Sequence, residues 1–449
     1  MTDQNHNKSS DPFASGRQEA ASAGRRNQTT RRGFLQAAGL GAAALAAHGV
    51  ARGAEQVFDK DGKPIQGFED ITKASEATSK GWEPISDRKI RVGIVGYGFC
   101  KFGAAFGFQD HPNVEVVAVS DLFPDRRDGL AKACRCEKTY DSLEELVKDD
   151  TIEAVFCATD PPHHAQHCIE VLKHGKHVAV NVPAVWGSLE QADQLFEAVT
   201  KAKGLQYMMF ETSYFDPSLW QMRQLYKAGC FGKHILSEGE YEHYHDGKAP
   251  VPSYKGWRDG APAMWYPTHS TAFYIGVTGG TFTEVSCQGR VGTWSYLQPG
   301  VNKFGNRFAS EYALFRTSDG GMSRIGASFD TAGHEGVKGR FRGELGSYEG
   351  GLSDGKLMGA FDGIANADGK KPALPSLDRP PLPPHVDPGG HGGAEGQLMN
   401  EFVSAILQDR TPMVNIAEAL NMTVAGVVAS QSAKKDGELL KVPQYKMFS

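Results

Sequence analysis

Two short clusters in the second half of the chain carry side chains suited to proton transfer and to ligand binding. Tyr266 and His269 stand in the run Tyr-Pro-Thr-His, shortly after Arg258. Tyr241 and His243 alternate along a predicted strand, so their side chains share one face. A phenol and an imidazole can hold or pass a proton near neutral pH when their surroundings shift the pKa. The pattern alone also allows other roles: Tyr266 and His269 could be a packed pair in the core, and Arg258 could pair with a surface carboxylate.

A glycine-rich turn in the first half of the chain has the features of a phosphate-binding loop. A predicted buried strand leads directly into Gly96–Phe99. Gly96 permits a tight turn, and Gly98 lets the backbone approach a pyrophosphate at a helix N-terminus. Lys101 stands where a third glycine is expected, with Gly103 two residues later.

Strands and helices alternate through residues 89–212, which predicts a doubly wound parallel sheet of the Rossmann type. Ligands of such sheets bind beyond the carboxyl ends of the strands. That rule selects five segments: Gly96–Phe99, Asp121, Pro161–His164, Asn181–Pro183 and Glu211–Tyr214. Asp121 ends the second strand, where a carboxylate would bind the adenosine ribose, or it caps a helix.

Residues 213–449 change to longer alternating strands and predict an α+β domain with an open, mostly antiparallel sheet. The expected strands are Ile235–Tyr244, Phe282–Val291, Glu311–Thr317, Met322–Phe329 and Gly339–Tyr348, with a hairpin turn at Asp319–Gly321. The stretch 349–393 is dense in Gly and Pro and predicts a long surface excursion. Helices are expected over about 396–408 and 416–434.

Two further motifs are similar to a known family. Ala158-Thr-Asp-Pro-Pro-His-His-Ala, followed by Gly175-Lys-His-Val-Ala-Val-Asn-Val-Pro183, resembles the glucose–fructose oxidoreductase, inositol dehydrogenase and rhizopine-catabolism (Gfo/Idh/MocA) family. The resemblance covers roughly residues 89–443. It implies hydride transfer between a nicotinamide cofactor and a secondary alcohol of a sugar, polyol or glycoside. Because Asp121 would repel a 2′-phosphate, NAD is expected rather than NADP.

The family positions assign roles to individual residues. The cofactor-binding residues would be Gly96, Tyr97, Gly98, Phe99, Asp121, Arg126, Pro161, His164, Asn181, Val182 and Thr212. His164 matches the position beside the nicotinamide. His269 matches the usual catalytic histidine, so the resemblance favours catalysis by Tyr266 and His269. The substrate contacts would be Tyr241, His243 and Arg258, and the family's second domain implies a homo-oligomer.

Two departures from the family pattern bear on the chemistry. Asn181-Val182-Pro183 replaces the family's Glu-Lys-Pro, so Tyr266 or His269 would take over the proton transfer that the lysine assists. Trp265 replaces the Asp found four residues before the catalytic histidine. The Tyr-Pro-Thr-His run, Val182 and a later His391-Gly-Gly are instead similar to the NAD-dependent α-N-acetylgalactosaminidases of glycoside hydrolase family 109, although Asn181 departs from that branch's acidic residue.

The glycosidase resemblance implies a redox-neutral cycle. Oxidation at C3 of the sugar acidifies the C2 proton, and its removal expels the leaving group at C1. Water then adds and the hydride returns. Three functions stay open: a sugar or polyol oxidoreductase, an NAD-dependent glycosidase, and a non-catalytic sugar- or partner-binding relative.

The N-terminus predicts an export signal. Residues 1–30 are polar, and Arg31-Arg32-Gly-Phe-Leu then precedes a weakly apolar run, which resembles a twin-arginine signal within residues 1–54. An amphipathic helix is the alternative, and residues 55–88 are expected to form a linker arm. The signal implies the twin-arginine machinery and a periplasmic or other extracytoplasmic location. A cofactor could not be replenished there, which favours a tightly bound, internally recycled one.

Composition excludes several other classes of function. The 449 residues carry a net charge of only −5, so no basic field predicts nucleic-acid binding. The apolar run near residues 33–47 is too short for a stable membrane span. The seven cysteines lack paired CxxC spacing, and His163, His164 and His167 share one predicted helix start, so no metal site is expected.

Overall fold

The computed structural model describes residues 72–244, 253–332, 336–350, 356–358 and 375–447. Three sets of sequence predictions fall outside these residues: the signal in residues 1–54, the arm over 55–71, and residues 351–355 and 359–374 of the Gly- and Pro-rich stretch.

The first sheet is the predicted doubly wound parallel sheet. Its strands are β1 (Ile90–Val95), β2 (Val114–Ser120), β3 (Thr139–Tyr140), β4 (Ala154–Cys157), β5 (His177–Asn181) and β6 (Tyr207–Phe210). They lie in the order β3-β2-β1-β4-β5-β6, and every described pair is parallel. The order reverses between β1 and β4, and ligands bind such sheets at this reversal.

The helices of this half are α1 (Glu76–Ser79), α2 (Phe102–Ala105), α3 (Pro124–Cys134), α4 (Leu143–Leu146), α5 (His164–Lys173) and α6 (Leu189–Lys201). Their ends follow local chemistry. Proline at the first helical position starts α3, and the Ser142 side chain accepts the Glu145 backbone N–H at the start of α4.

The second sheet has eight described strands and is mostly antiparallel, as predicted. Its strands are β7 (His234–Glu242), β8 (Phe282–Val291), β9 (Phe308–Thr317), β10 (Met322–Ser328), β11 (Gly336–Gly343), β12 (Ser347–Gly350), β13 (Lys356–Met358) and β14 (Leu440–Lys441). Their order is β13-β12-β11-β7-β10-β9-β8-β14, with β7 and β10 parallel. The accompanying helices are α7 (Pro217–Lys227), α8 (Thr268–Thr278), α9 (Ala394–Leu407) and α10 (Ile416–Ala433).

The prediction of one strand over Gly339–Tyr348 is wrong, because this stretch contains a hairpin. β11 ends at Gly343 and pairs antiparallel with β12. A Cβ atom on Gly343 would lie 2.0 Å from the Phe231 carbonyl oxygen, so the chain turns where it meets another backbone. The strand-like residue pattern continues through this turn, so the sequence alone does not indicate it.

The prediction of a surface excursion over 349–393 is wrong for its described end. Leu382 and Val386 are fully buried. The Leu382 N–H donates to the Thr78 carbonyl at 2.8 Å, and the Arg379 guanidinium donates to the Phe215 carbonyl at 2.8 Å. Gly and Pro residues indicate an irregular backbone but not its exposure, and here the contacts with Thr78 and Phe215 bury it.

The two C-terminal helices connect both sheets. Phe402 of α9 packs against Phe108 and Phe210 of the first half, with ring centroids 6.4 and 6.1 Å apart. The Tyr445 hydroxyl, beyond α10, lies 2.7 Å from Asp193 of α6. This packing brings the start of α9 to the carboxyl ends of the parallel strands.

Candidate active site

Three adjoining cavities form one groove along the carboxyl ends of the parallel strands. The first cavity, of about 390 Å³, is lined in part by Gly96 and Asp121. The second, of about 890 Å³, shares Gly98 with the first. The third, of about 360 Å³, shares Asn181 and Tyr266 with the second. The groove therefore runs without interruption from the glycine-rich turn to the predicted catalytic residues.

The glycine-rich turn has the geometry of a dinucleotide-binding loop. Gly96 has φ +103°, and a Cβ there would lie 2.3 Å from the Ala158 carbonyl oxygen. Gly98 has no atom within 4 Å of a Cβ position, so its backbone is open to a ligand. A Cβ on Gly103 would lie 2.3 Å from the Gly96 carbonyl oxygen. Gly103 therefore gives the close helix–strand packing of the missing third glycine.

Asp121 fixes this turn and also lines the first cavity. One carboxylate oxygen accepts the Tyr97 N–H at 2.7 Å, and the other accepts the Phe123 N–H at 2.9 Å. Each oxygen keeps a lone pair that could accept a ribose hydroxyl. Arg126 lies over the Phe123 ring at 4.4 Å and lines the first and second cavities.

Asn181 carries an unpartnered acceptor at the centre of the groove. Its residue is 7% exposed, and its side-chain oxygen is buried without a hydrogen-bond partner in the described structure. It lines the second and third cavities together with Val182. A buried acceptor of this kind is costly unless a ligand donates to it.

The other predicted site residues, His164 excepted, line the same groove: Tyr97, Phe99 and Pro161 the second cavity, and Thr212, Tyr241, His243, Arg258, Tyr266 and His269 the third. His164 is fully buried and lines none of the three cavities. Its Nδ1 lies 2.7 Å from the Pro183 carbonyl and its Nε2 2.8 Å from the Thr159 carbonyl. Burial lowers the pKa of this imidazole. His164 thus joins the loops after β4 and β5, and its predicted place beside the nicotinamide stays a prediction.

His269 is held by a buried carboxylate that the sequence analysis did not assign. Its Nδ1 donates to Glu211 Oε1 at 2.6 Å, and Glu211 is fully buried after β6. Burial opposes ionisation, but the charge and hydrogen bond of His269, together with hydrogen bonds from Thr268 and the Ser213 backbone, hold the pKa of Glu211 below its usual value. The carboxylate fixes the ring orientation and leaves Nε2 as the nitrogen able to act on a ligand.

Two phenols accompany this imidazole. The ring centroids of Tyr241 and Tyr266 lie 4.9 and 5.5 Å from that of His269. Burial raises the pKa of both phenols, and the Arg258 charge opposes that rise. Both phenols therefore stay protonated at neutral pH. Tyr266 is suited to donate a hydrogen bond, whereas His269 is suited to accept a proton.

A second imidazole–carboxylate pair faces the third cavity. His391, which lines that cavity, lies 3.0 Å through Nδ1 from Oε1 of Glu395, which is 1% exposed. The His391 and His269 rings are 6.5 Å apart and nearly parallel. His391 has φ +53°, a backbone conformation that is strained in a residue with a side chain and that clusters at functional sites. The His-Gly-Gly motif, with Glu four residues after the histidine, was the sequence signal for it.

No helix among the described residues is long and apolar enough to cross a bilayer. Within the same part of the chain, no cluster of three or more His, Cys, Asp or Glu side chains is placed to hold a metal ion.

A family model matches the first half of the described structure. Residues 90–210 match the GFO_IDH_MocA model, described as an oxidoreductase family with an NAD-binding Rossmann fold. The match confirms the predicted resemblance over residues 90–210, together with an NAD-binding Rossmann fold in that part of the chain.

Similar curated proteins carry a glycosidase name. Glycosyl hydrolase family 109 protein 1 of Bacteroides fragilis is 28% identical over 196 residues, or 40% of each chain. Protein 3 of the same family from Phocaeicola vulgatus is 33% identical over 165 residues, covering 34% of this chain and 29% of that protein. The chain thus spans about 40% of the length of the curated relatives it matches first.

Solved structures share the fold over a longer stretch. Scyllo-inositol dehydrogenase of Lactobacillus casei, with bound NAD(H) and scyllo-inositol, has a TM-score of 0.61 at 19% identity and covers 79% of this chain and 99% of its own. Levoglucosan dehydrogenase in complex with NADH and levoglucosan has a TM-score of 0.63 at 18% identity, covering 80% and 100%. These likenesses confirm the predicted two-part fold.

Proposed function

We propose, from the match of residues 90–210 to the NAD-binding Rossmann fold of the Gfo/Idh/MocA oxidoreductases, that this protein oxidises a secondary alcohol of a sugar, polyol or glycoside by hydride transfer. One observation carries the proposal. His269, held by buried Glu211, lines a cavity that continues into the dinucleotide groove. Carbohydrate as the substrate class is supported by the names of the similar proteins.

The residues of the groove fit a dinucleotide. Gly96 and Gly98 would receive the pyrophosphate, and Asp121 the adenosine ribose. Asn181 offers its unpartnered oxygen to a donor on the nicotinamide or the substrate. NAD bound there would supply a carbon that accepts a hydride and can return it.

The chain itself supplies the proton chemistry. Val182 cannot transfer a proton, so the task passes to the third cavity, where His269 Nε2 would take the hydroxyl proton of the substrate. Tyr266 would donate a hydrogen bond to the same oxygen. The Arg258 guanidinium makes no ion pair with a described carboxylate and would stabilise negative charge that develops there.

The second candidate function is an NAD-dependent glycosidase. Two observations favour it: the similar curated proteins are named glycosyl hydrolase family 109, and the third cavity holds two imidazole–carboxylate pairs. Oxidation of one alcohol requires one base. Elimination of a leaving group also requires removal of a proton from the adjacent carbon, and His391 would serve that second transfer.

The experiment that separates the candidates uses the purified protein with NAD in deuterated water. Aryl glycosides and free sugars are supplied, and three quantities are followed: aryl release, nucleotide reduction and deuterium at C2. Reduction of one equivalent of bound nucleotide without C2 exchange supports the oxidoreductase. Continuous aryl release with C2 deuterium and no added oxidant supports the glycosidase.

Matched variants make this experiment specific. His269→Gln should abolish aryl release, nucleotide reduction and C2 exchange. His174→Gln, at the residue that follows α5 and outside the groove lining, should retain the wild-type behaviour. A wild-type protein that binds NAD but shows no aryl release, no nucleotide reduction and no C2 exchange with any sugar would contradict both candidates. That result would favour a non-catalytic binding role.

We also propose export by the twin-arginine route to the periplasm or another extracytoplasmic space, with the cofactor already bound. The proposal is supported by the Arg31-Arg32 motif and the apolar run after it.

A further inference from the structure

A short stretch of the second half of the chain spans the dinucleotide groove at two points. We call residues 253–258 the crossing segment. The Tyr254 ring meets the Phe123 ring edge-on, with centroids 5.6 Å apart. The Trp257 indole N–H donates to Asp160 Oδ1 at 2.9 Å. Phe123 follows β2 and Asp160 follows β4, so both anchors lie on the Rossmann side of the groove.

The space beneath the crossing segment is the space that a dinucleotide needs. Tyr254 and Lys255 line both the first and the second cavity. Gly98 and Arg126 line the same two cavities from the Rossmann side. A ligand on the glycine-rich turn would therefore be enclosed between the two halves of the chain.

The anchor at Trp257 is firmly packed. The residue is 6% exposed, and its ring meets the Trp186 ring at 5.1 Å. The Arg258 guanidinium lies 4.2 Å above the same ring and lines the third cavity. The Trp257 indole thus contacts residues of both the second and the third cavity.

The charge of the second cavity suits a diphosphate. Its charged lining residues are Lys101, Asp125, Arg126, Asp160, Lys255 and Arg258, so cations outnumber carboxylates by four to two. Asp160 is already engaged by Trp257. Lys255 comes from the crossing segment itself, and its ammonium lies over the Tyr254 ring, 4.9 Å from the centroid, in the cavity that Gly98 also lines.

We propose that the crossing segment is part of the dinucleotide-binding site, with Lys255 directed at the diphosphate and with Tyr254 and Trp257 as anchors that slow release of the nucleotide. The proposal rests on the proposed function, because it takes the ligand to be NAD. It explains how an enzyme of this fold can keep one nucleotide through many redox-neutral turnovers.

The test measures nucleotide release directly, without substrate. Wild type and variants of the full chain are loaded with radiolabelled NAD, and dissociation is followed after dilution into excess unlabelled NAD. Trp257→Phe removes the N–H donor and keeps an aromatic ring, and Tyr254→Ala removes the contact with Phe123. Each should speed dissociation by about 10-fold, since a hydrogen bond to a charged group or an aromatic ring contact is lost.

A matched control removes another indole hydrogen bond. Trp220→Phe loses the bond from Trp220 to the Asp378 carbonyl, outside the groove, and should leave the rate unchanged. Lys255→Ala should weaken binding of NAD by about 10-fold and leave binding of adenosine, which has no phosphate, unaffected.

Equal dissociation rates for wild type, Trp257→Phe and Tyr254→Ala would overturn the inference while leaving the proposed function intact. A wild-type protein that binds no NAD at all would contradict the proposed function instead.

Discussion

The buried Glu211–His269 pair holds an imidazole in a fixed orientation beside the groove. A buried carboxylate loses its hydration, and the partner must restore that energy. Glu211 is fully buried, and its bond to His269 joins residues 58 positions apart in sequence. A site that only binds sugar does not require an oriented imidazole beside a dinucleotide groove. The pair therefore argues for catalysis over a purely binding role.

Tyr266→Phe tests the proton chemistry at a single oxygen. The substitution removes the hydroxyl that would hydrogen-bond the reacting substrate oxygen and keeps the ring in the cavity wall. Turnover should fall by roughly 100-fold or more, the usual scale of an acid–base contribution. NAD affinity, measured by equilibrium dialysis, should change little.

Tyr226→Phe, on α7 outside the groove, is the matched control and should keep wild-type turnover. A Tyr266→Phe variant with normal turnover would remove this phenol from the mechanism.

Sequence reasoning selected residues that line the groove more readily than the residues that hold them in place. Tyr266 and His269 are recognisable from their types and spacing together with the family resemblance. The role of Glu211 depends on a histidine far along the chain, and that of Glu395 on a strained backbone at His391. His164 shows the converse, because its predicted position beside the nicotinamide gave no sign that carbonyl groups surround it.

At the scale of elements, the sequence predicted the strands and failed where a boundary depends on a distant contact. Apolar runs and alternation are local signals, and the parallel sheet follows from them. The turn after Gly343 depends on the Phe231 carbonyl, and the burial of Leu382 depends on Thr78. Neither contact leaves a signal in its own stretch of sequence.

Glu311 of β9 makes stability depend on pH in a testable direction. Its side chain accepts the Met264 N–H at 2.7 Å, beneath the turn that leads to Tyr266. Burial raises its pKa from 4.5 to about 7. The folded state thus holds this proton more tightly than the unfolded state does. The stability that this carboxyl group contributes is therefore fully present below pH 4.5 and is lost as the pH rises through about 7.

Glu311→Gln does not titrate and should lack this loss. Its free energy of unfolding in urea should exceed that of wild type by up to about 3 kcal/mol at pH 8, and by little near pH 5. Glu115→Gln, at an exposed position of β2, should show no such difference. An equal pH dependence in wild type and Glu311→Gln would show that the carboxyl is ionised at little cost.

At the scale of the whole molecule, the proposals share one requirement, which is that a nucleotide stays bound. An enzyme outside the cytoplasm would find no pool of nicotinamide cofactor to replace its own. A redox-neutral cycle does not need such a pool, and the crossing segment would slow loss of the bound nucleotide. The outer face of the second sheet exposes Tyr312, Leu314 and Met322, which suits the predicted homo-oligomer. That oligomer stays a prediction.

Export itself can be tested with a substitution that conserves charge. Arg31→Lys together with Arg32→Lys keeps two positive charges, but a receptor reads the arginine pair, so the variant should stay in the cytoplasmic fraction. Cell fractionation with immunoblotting measures this, and Arg25→Lys with Arg26→Lys is a matched control pair that should be exported. Mass spectrometry should find NAD in both proteins if, as proposed, the cofactor is loaded before export. Normal export of the Arg31/Arg32 variant would show that the segment is not a twin-arginine signal, and exported protein without nucleotide would contradict cofactor loading in the cytoplasm.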